Sequence, residues 1–186
     1  MKNPLRKKIL FLKVKNKDKE AYGRFYDLYA TRIYRFIFFK INSVSDAQDL
    51  TSEVFLKLWQ YIKEDKEIKN LNAFTYMVAR NTVIDFYRSK HRKEDSVEEV
   101  EESDLAKTLA DNRADPLAQQ IVNSDLNQVL KGLENLKDEY KEVIILKYLD
   151  ELSIGEIAEV LNKSRGAVRV LLHRAAKALK ETVNAL

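Results

Sequence analysis

The chain has 186 residues with no cysteine, two prolines and four glycines, and its 33 Lys and Arg against 29 Asp and Glu leave a net charge of +4. Without cysteine there is neither a disulfide framework nor a thiolate metal site, and only His91 and His173 could offer imidazole, which argues against a zinc enzyme and against any bound cofactor of that kind. So few helix breakers among abundant Leu, Ala, Lys and Glu predict an all-α chain, long enough for one domain or two small ones.

Residues 1–17 read as an irregular basic lead-in. The apolar run Ile9, Leu10, Phe11 and Leu12 is interrupted by Lys13, too early for a secretory signal. No stretch approaches the roughly 20 apolar residues that span a bilayer, so a cytoplasmic protein without membrane insertion is expected. There is no internal repeat, Gly-rich phosphate loop or nucleophile motif.

From about Asp18 to Phe39 aromatics crowd the chain. Tyr22, Phe25, Tyr26 and Tyr29 recur at helical spacing and predict a core face, with stacking on bases as the alternative. Tyr34 to Ile41 is apolar nearly all round, as in the centre of a bundle. Ser45 with Gln48 forms a capping-box pattern that would start a helix from Asp46 to about Tyr61. Ala47, Leu50, Val54 and Leu58 make its inner stripe, and Asp46, Asp49 and Glu53 lie beside it. These carboxylates could be an exposed face favoured by the helix dipole, a docking surface for a basic partner, or metal ligands, although no further ligands accompany them.

Asn70 or Asn72 can cap a helix running to about Lys90. Tyr76, Met77, Ala79, Val83, Ile84, Phe86 and Tyr87 cover the arc expected to pack. Phe74, Val78, Asn81, Thr82, Asp85 and Arg88 share the other arc, where an aromatic beside Asn and Arg suits unpaired bases. Arg88, Lys90, Arg92 and Lys93 add charge suited to phosphates. The run Glu94 to Asp104 then holds acidic residues and no basic one, and reads as a flexible linker. It divides the chain into a first domain over 18–93, a linker over 94–115 and a second domain over 116–186.

Asp115-Pro116 suits a cap followed by Pro at the first helical position, and Ile121, Leu126, Val129, Leu130 and Leu133 continue in helical rhythm. Another helix follows from about Asp138 to Leu149. Ser153 with Glu156 is a capping box, Asn162 a helix stop and Ser164 the next cap, which makes a four-helix unit ending in a helical hairpin. On the last helix Val168, Leu171, Leu172, Ala175, Ala178 and Leu179 fall on one side. Arg165, Arg169, His173, Lys177 and Lys180 fall opposite. A short helix, a turn and a longer helix with a basic face match the helix-turn-helix, whose second helix lies in the major groove. A solvated basic surface is the alternative.

The stretch Asp46-Ala47-Gln48-Asp49-Leu50-Thr51-Ser52-Glu53-Val54-Phe55-Leu56-Lys57-Leu58-Trp59 closely resembles conserved region two of the extracytoplasmic-function sigma factors of bacterial RNA polymerase, in the sigma-70 family. Ala79-Arg80-Asn81-Thr82-Val83-Ile84-Asp85-Phe86-Tyr87-Arg88 resembles their promoter-reading helix, and Ser153 to Ala175 is similar to their region four. The resemblance implies a protein that binds core polymerase and directs promoter recognition, DNA melting and initiation, without being an enzyme. Asp46, Asp49, Glu53 and Trp59 would dock on the β′ clamp helices, with the β subunit as a further contact. Phe74, Asn81, Asp85 and Arg88 would meet the minus-ten element. Ser164, Arg165, Arg169, His173, Arg174 and Lys177 would face the minus-thirty-five element. An anti-sigma factor is the implied antagonist. The sequence departs from the family in having Phe rather than Trp at position 74 and an apolar residue at Leu171, which leaves fewer base-edge donors. The linker resembles the family's connector toward the RNA exit path, where its negative charge would imitate RNA. The residues alone also allow a helix-turn-helix regulator with a sensing domain, or a nuclease built on Asp46, Asp49 and Glu53.

Overall fold

A computed structural model of the chain describes residues 4–94, 132–133 and 135–184. Every regular element among them is helical, with no strand. They fall into two compact units that meet in sequence between Ser89 and Lys90. The acidic run beyond Glu94 and the helix expected after Pro116, apart from Gly132 and Leu133, lie outside the described residues.

The first unit opens with α1 (Pro4–Lys15) where an irregular lead-in was expected. The basic residues that suggested irregularity lie around an inward stripe. Leu10 and Val14 are buried, and the Phe11 ring packs 5.9 Å from Phe25 and 6.1 Å from Tyr29. Burying a Val or Leu side chain is worth about 1.5–3 kcal/mol, enough to hold a helix of this length that would be marginal alone. Lys13 and Lys15 in its last turn also suit the helix dipole.

In α2 (Lys19–Ile41), Asp18 caps the start by accepting from the Ala21 amide at 3.0 Å. Asn42 ends the helix in the left-handed conformation, φ 55°, with its N–H on the Phe38 carbonyl. Ser43 follows at once as the cap of α3 (Val44–Lys63), accepting from the Asp46 amide. The cap is therefore Ser43 rather than Ser45, because the left-handed stop leaves only Ser43 extended before the next helix. Asn70 caps α4 (Leu71–Glu94), its side chain accepting from the Ala73 amide at 3.2 Å.

Phe25, Ile33, Phe36 and Ile37 of α2 form the centre of this unit with Val54 and Leu58 of α3 and Tyr76 and Ala79 of α4, all completely buried. The inner stripe of Ala47, Leu50, Val54 and Leu58 is as expected. A buried bond from the Tyr29 hydroxyl to Asn72 Oδ1, 2.8 Å, ties α2 to α4. The packed arc of α4 differs from the expected one. Thr75 and Thr82 are buried, Met77, Ile84 and Phe86 are only partly so, and Tyr87 is exposed. Thr75 can sit inward because its hydroxyl donates to the Leu71 carbonyl on the preceding turn at 2.7 Å, while Thr82 receives a bond from Lys57. Tyr26 is also exposed, though its ring edge meets Phe55 at 4.7 Å.

The second unit is built from α5 (Asp138–Ile144), a π-turn (Ile145–Leu149), α6 (Ile154–Leu161) and α7 (Arg165–Asn184). The helix expected over 138–149 is present but widens at its end, where the Asp150 N–H reaches the Ile145 carbonyl five residues back. That widening lets Ile145, Leu146 and Leu152 all stay buried as the chain turns toward α6. They pack with Leu133, Val143, Ile157, Val168 and Ala175. Gly132 abuts the last turns of α7: a Cβ there would lie 2.9 Å from Val183 Cγ2.

Candidate nucleic-acid and partner interfaces

The helix-turn-helix is built by three caps that the sequence encodes. Ser153 and Glu156 form a complete capping box, the Ser153 amide donating to Glu156 Oε2 at 2.9 Å and the Glu156 amide to Ser153 Oγ at 3.2 Å. Asn162 is left-handed at φ 51° and closes α6. Ser164 Oγ accepts from the Ala167 amide at 3.1 Å and opens α7. Because Val168, Leu171, Leu172 and Ala175 are buried, the opposite face is fixed outward. Arg165, Arg169, His173, Arg174, Lys177 and Lys180 are all exposed on it.

Arg165, Arg169, His173 and Arg174 have no ion pair among the described residues, whereas Lys177 faces Glu181 at 3.9 Å. The Arg165 guanidinium lies over Gly155 at the start of α6, 3.4 Å from where a Cβ would stand, so it leans toward the first helix of the motif. Leu171, where the sequence lacks a polar residue, is a core contact at 8% exposure. It therefore takes no place on the outer face, and the donors there are unaffected by it.

On α4, Phe74 is partly buried and its ring stacks obliquely on Tyr61 of α3, centroids 4.5 Å apart and tilted by 46°. The Lys66 ammonium lies 4.9 Å from the centroid of the Tyr61 ring and pairs with Glu64. That hydrogen bond raises the Lys66 pKa and lowers that of Glu64, so both stay charged at neutral pH. Tyr61 and Lys66 were not anticipated as parts of this surface, because their spacing on α3 and its following loop gives no hint of Phe74. About two turns along α4 from Phe74 comes Asn81, exposed with no side-chain bond among the described residues, and one and two turns further come Asp85 and Arg88, which face each other at 3.8 Å. Thr82 departs from this arc. It is 2% exposed and receives a bond from Lys57 Nζ at 3.4 Å, while Lys57 also pairs with Glu53 at 2.6 Å.

On α3, Asp49 is exposed and Asp46 and Glu53 are partly so. Among the described residues no three His, Asp or Glu side chains converge to hold a metal ion. Leu56 shares this outer ridge one turn beyond Glu53 and is 70% exposed, an apolar side chain among carboxylates that the inner-stripe pattern did not single out. Trp59 stands apart from them, its ring 4.6 Å from Tyr22 on α2. The Tyr22 hydroxyl in turn donates to the Phe55 carbonyl. Burial pushes the Tyr22 phenol well above its ordinary value of 10.0, and a hydrogen bond with the Trp59 backbone opposes this only in part. No helix among the described residues is long and apolar enough to cross a membrane.

Two family models match the sequence: Sigma-70 region 2 over residues 25–93 and Sigma-70, region 4 over residues 126–179. The chain is 30% identical over 176 residues to the ECF RNA polymerase sigma factor SigW of Bacillus subtilis (strain 168), covering 93% of this chain and 94% of that protein. It is 31% identical over 160 residues to the ECF RNA polymerase sigma factor SigM of the same organism, covering 86% and 93%. Its fold is like that of CnrH, solved in complex with the cytosolic domain of CnrY, with a TM-score of 0.67 at 19% identity over 95% of this chain and 96% of that one. It is also like that of the sigma factor RpoE of Bartonella quintana, solved with the anti-sigma factor NepR, with a TM-score of 0.65 at 20% identity over 87% and 96%.

Proposed function

The chain belongs to the extracytoplasmic-function sigma factors of the sigma-70 family and directs promoter recognition for RNA polymerase, and on that premise we propose how its surfaces divide the work. The outer face of α7, with Ser164, Arg165, Arg169, His173, Arg174 and Lys177, reads the minus-thirty-five element in the major groove. The outer edge of α4 holds the melted minus-ten strand: Phe74 stacks a base, the free amide of Asn81 reads one, and Arg88, oriented by Asp85, meets phosphate. The ridge of Asp49, Glu53 and Leu56 docks on the basic β′ clamp helices, with Asp46 at its margin and Trp59 supporting the helix from the side.

The observation that supports this reading most is the pairing of Phe74 with Tyr61. A stacking residue that must catch an extruded base needs a ring already held in place, and Tyr61 holds it from behind. The basic face of α7 then supplies an upstream anchor. Two modest contacts on one promoter reinforce each other through effective concentration. The chain itself makes and breaks no bonds in this scheme; that chemistry belongs to the polymerase. The protein acts in the cytoplasm on promoter DNA and core polymerase, and an anti-sigma factor is the expected antagonist. A self-sufficient helix-turn-helix regulator gives way to this reading because the region 2 match covers most of the first unit as well, from residue 25 on.

The test is reconstituted transcription with core polymerase and a promoter library. Specific transcripts that need both proteins, with minus-ten and minus-thirty-five motifs enriched among the winners, are the expected result. Specific operator binding by the chain alone, without transcripts, would sink it.

A further inference from the structure

α1 is amphipathic on two sides. Its inward stripe is buried on α2, but Leu5, Ile9 and Leu12 recur along the opposite side and are 47–63% exposed. Five cations, Arg6, Lys7, Lys8, Lys13 and Lys15, fill the positions between, and the helix has no acidic residue. Along its flank a crevice between α1 and α2 encloses about 370 Å³, within the range of built binding sites. Leu10, buried, forms its floor, the exposed Ile9 and Leu28 flank it, and Arg6, Lys13 and Arg24 line it as well.

The charges around it do not cancel. Asp18 is committed to capping α2 through the Ala21 amide, and Glu20 is paired with Arg24 at 2.6 Å. Arg6 and Lys13 have no side-chain partner among the described residues. A smaller hollow of about 70 Å³ shares Leu10 and Leu28 and leads on to Arg32, so the apolar lining continues past the first cavity with another cation at its end.

We propose that this crevice is a docking groove for an acidic amphipathic helix of a partner protein, distinct from the surfaces assigned to DNA and polymerase. Leu-type side chains at i, i+3, i+4 and i+7 would fill the floor, and flanking carboxylates would pair with Arg6 and Lys13. Nucleic acid would satisfy the cations but leave Ile9 and Leu28 uncovered or dehydrate nothing in return. A bilayer would meet the exposed ridge of α1, yet Leu10 lies recessed at 8% exposure, among charged side chains that a flat surface reaches first.

The experiment uses the full chain and a fluorescent helical peptide with Leu at those positions and Glu on both flanks, read by anisotropy. Saturable binding is expected, weakened by at least about tenfold by Lys13→Glu or Leu28→Asp and by scrambling the peptide so that its charge stays and its stripe is lost. Ile9→Asp, at a half-exposed position, provides a second apolar variant should Leu28→Asp disturb folding, which circular dichroism reports. Promoter-directed transcription by the reconstituted holoenzyme should be unchanged in Lys13→Glu, so loss of this proposal and loss of the promoter reading are separable. Equal binding of the scrambled peptide, or indifference to the apolar and charge variants, overturns the groove. Phosphatidylglycerol vesicles that bind better than the peptide, through the same residues, would assign it to a membrane instead. Peptide binding that emerges only after Glu98, Glu99, Glu101 and Glu102 are changed to Gln would give the groove to this chain's own acidic run.

Discussion

The Phe74 ring lies obliquely on that of Tyr61, 4.5 Å between centroids, although the two residues come from successive helices whose connecting loop holds Lys66 over the Tyr61 ring. Neither ring alone would define a direction for a stacked base; together they fix a platform. Removing Phe74 should leave duplex binding intact while impairing melting by about 1–3 kcal/mol, the worth of one stacked base. Tyr61→Ala should act in the same direction but less, by about 0.5–1.5 kcal/mol, since it removes only the backing. Permanganate reactivity of promoter thymines checks both, and unchanged reactivity in Phe74→Ala would refute the platform.

Arg169 is exposed on α7 with no ion pair among the described residues, so its guanidinium is available for a bidentate contact. Arg169→Ala should cost about 1–3 kcal/mol in promoter binding and relax preference at one position of the minus-thirty-five element. Binding to a set of single-base promoter variants distinguishes this from a phosphate contact, for which the loss would be the same on every sequence.

Leu56 is 70% exposed, so Leu56→Ala should change thermal stability by no more than about 0.5 kcal/mol. Competition for core polymerase should nevertheless weaken by about 1–2 kcal/mol if Leu56 is an apolar anchor among carboxylates. Asp49→Lys should weaken it further and reverse the salt dependence of association. Wild-type affinity in both variants would move the docking surface elsewhere.

The Tyr22 phenol is held neutral in the folded protein by burial, its pKa raised above the ordinary 10.0. The folded state thus keeps a proton that the unfolded chain releases. Stability from this source is fully present below about pH 10 and falls as pH rises toward the folded value. Denaturant midpoints of wild type and Tyr22→Phe should run parallel at neutral pH, offset by about 1 kcal/mol for the lost bond to Phe55, and converge in the alkaline range. Parallel curves throughout would mean that the phenol ionises freely.

The capping box at Ser153 sets where α6 begins and hence how α7 is presented. Ser153→Ala should cost about 0.5–2 kcal/mol in the second unit. Helical signal lost on heating reports it, and promoter binding should fall no more than the folded fraction does.

What could be read beforehand was mostly local. The capping box at Ser153, the stop at Asn162 and the basic face of α7 depend on neighbours three or four residues away, and each is where the sequence placed it. The resemblance to sigma factors likewise rested on contiguous motifs. Apart from the cap of α3, which is Ser43 and not Ser45, what escaped depended on contacts distant in sequence. Phe74 was legible as an outward aromatic, but its support by Tyr61 was not, because no helical period links residues across a loop. Thr82 looked polar and therefore outward, yet Lys57 of the neighbouring helix supplies its hydroxyl with a partner and makes burial affordable. Charge alone made residues before Lys17 look unstructured, although Leu10, Phe11 and Val14 already held a helical interval that the aromatic face of α2 completes.

That first helix also bears on how the family's module should be cut. The region 2 match begins at residue 25, inside α2, whereas Phe25 and Tyr29 are roofed by Phe11, with Lys7 lying over the Phe11 and Tyr29 rings. The matched segment and the packing thus draw different borders. A fragment trimmed to the matched segment would begin with Phe25 and Tyr29 facing water, whereas one that starts at Pro4 takes its own lid with it.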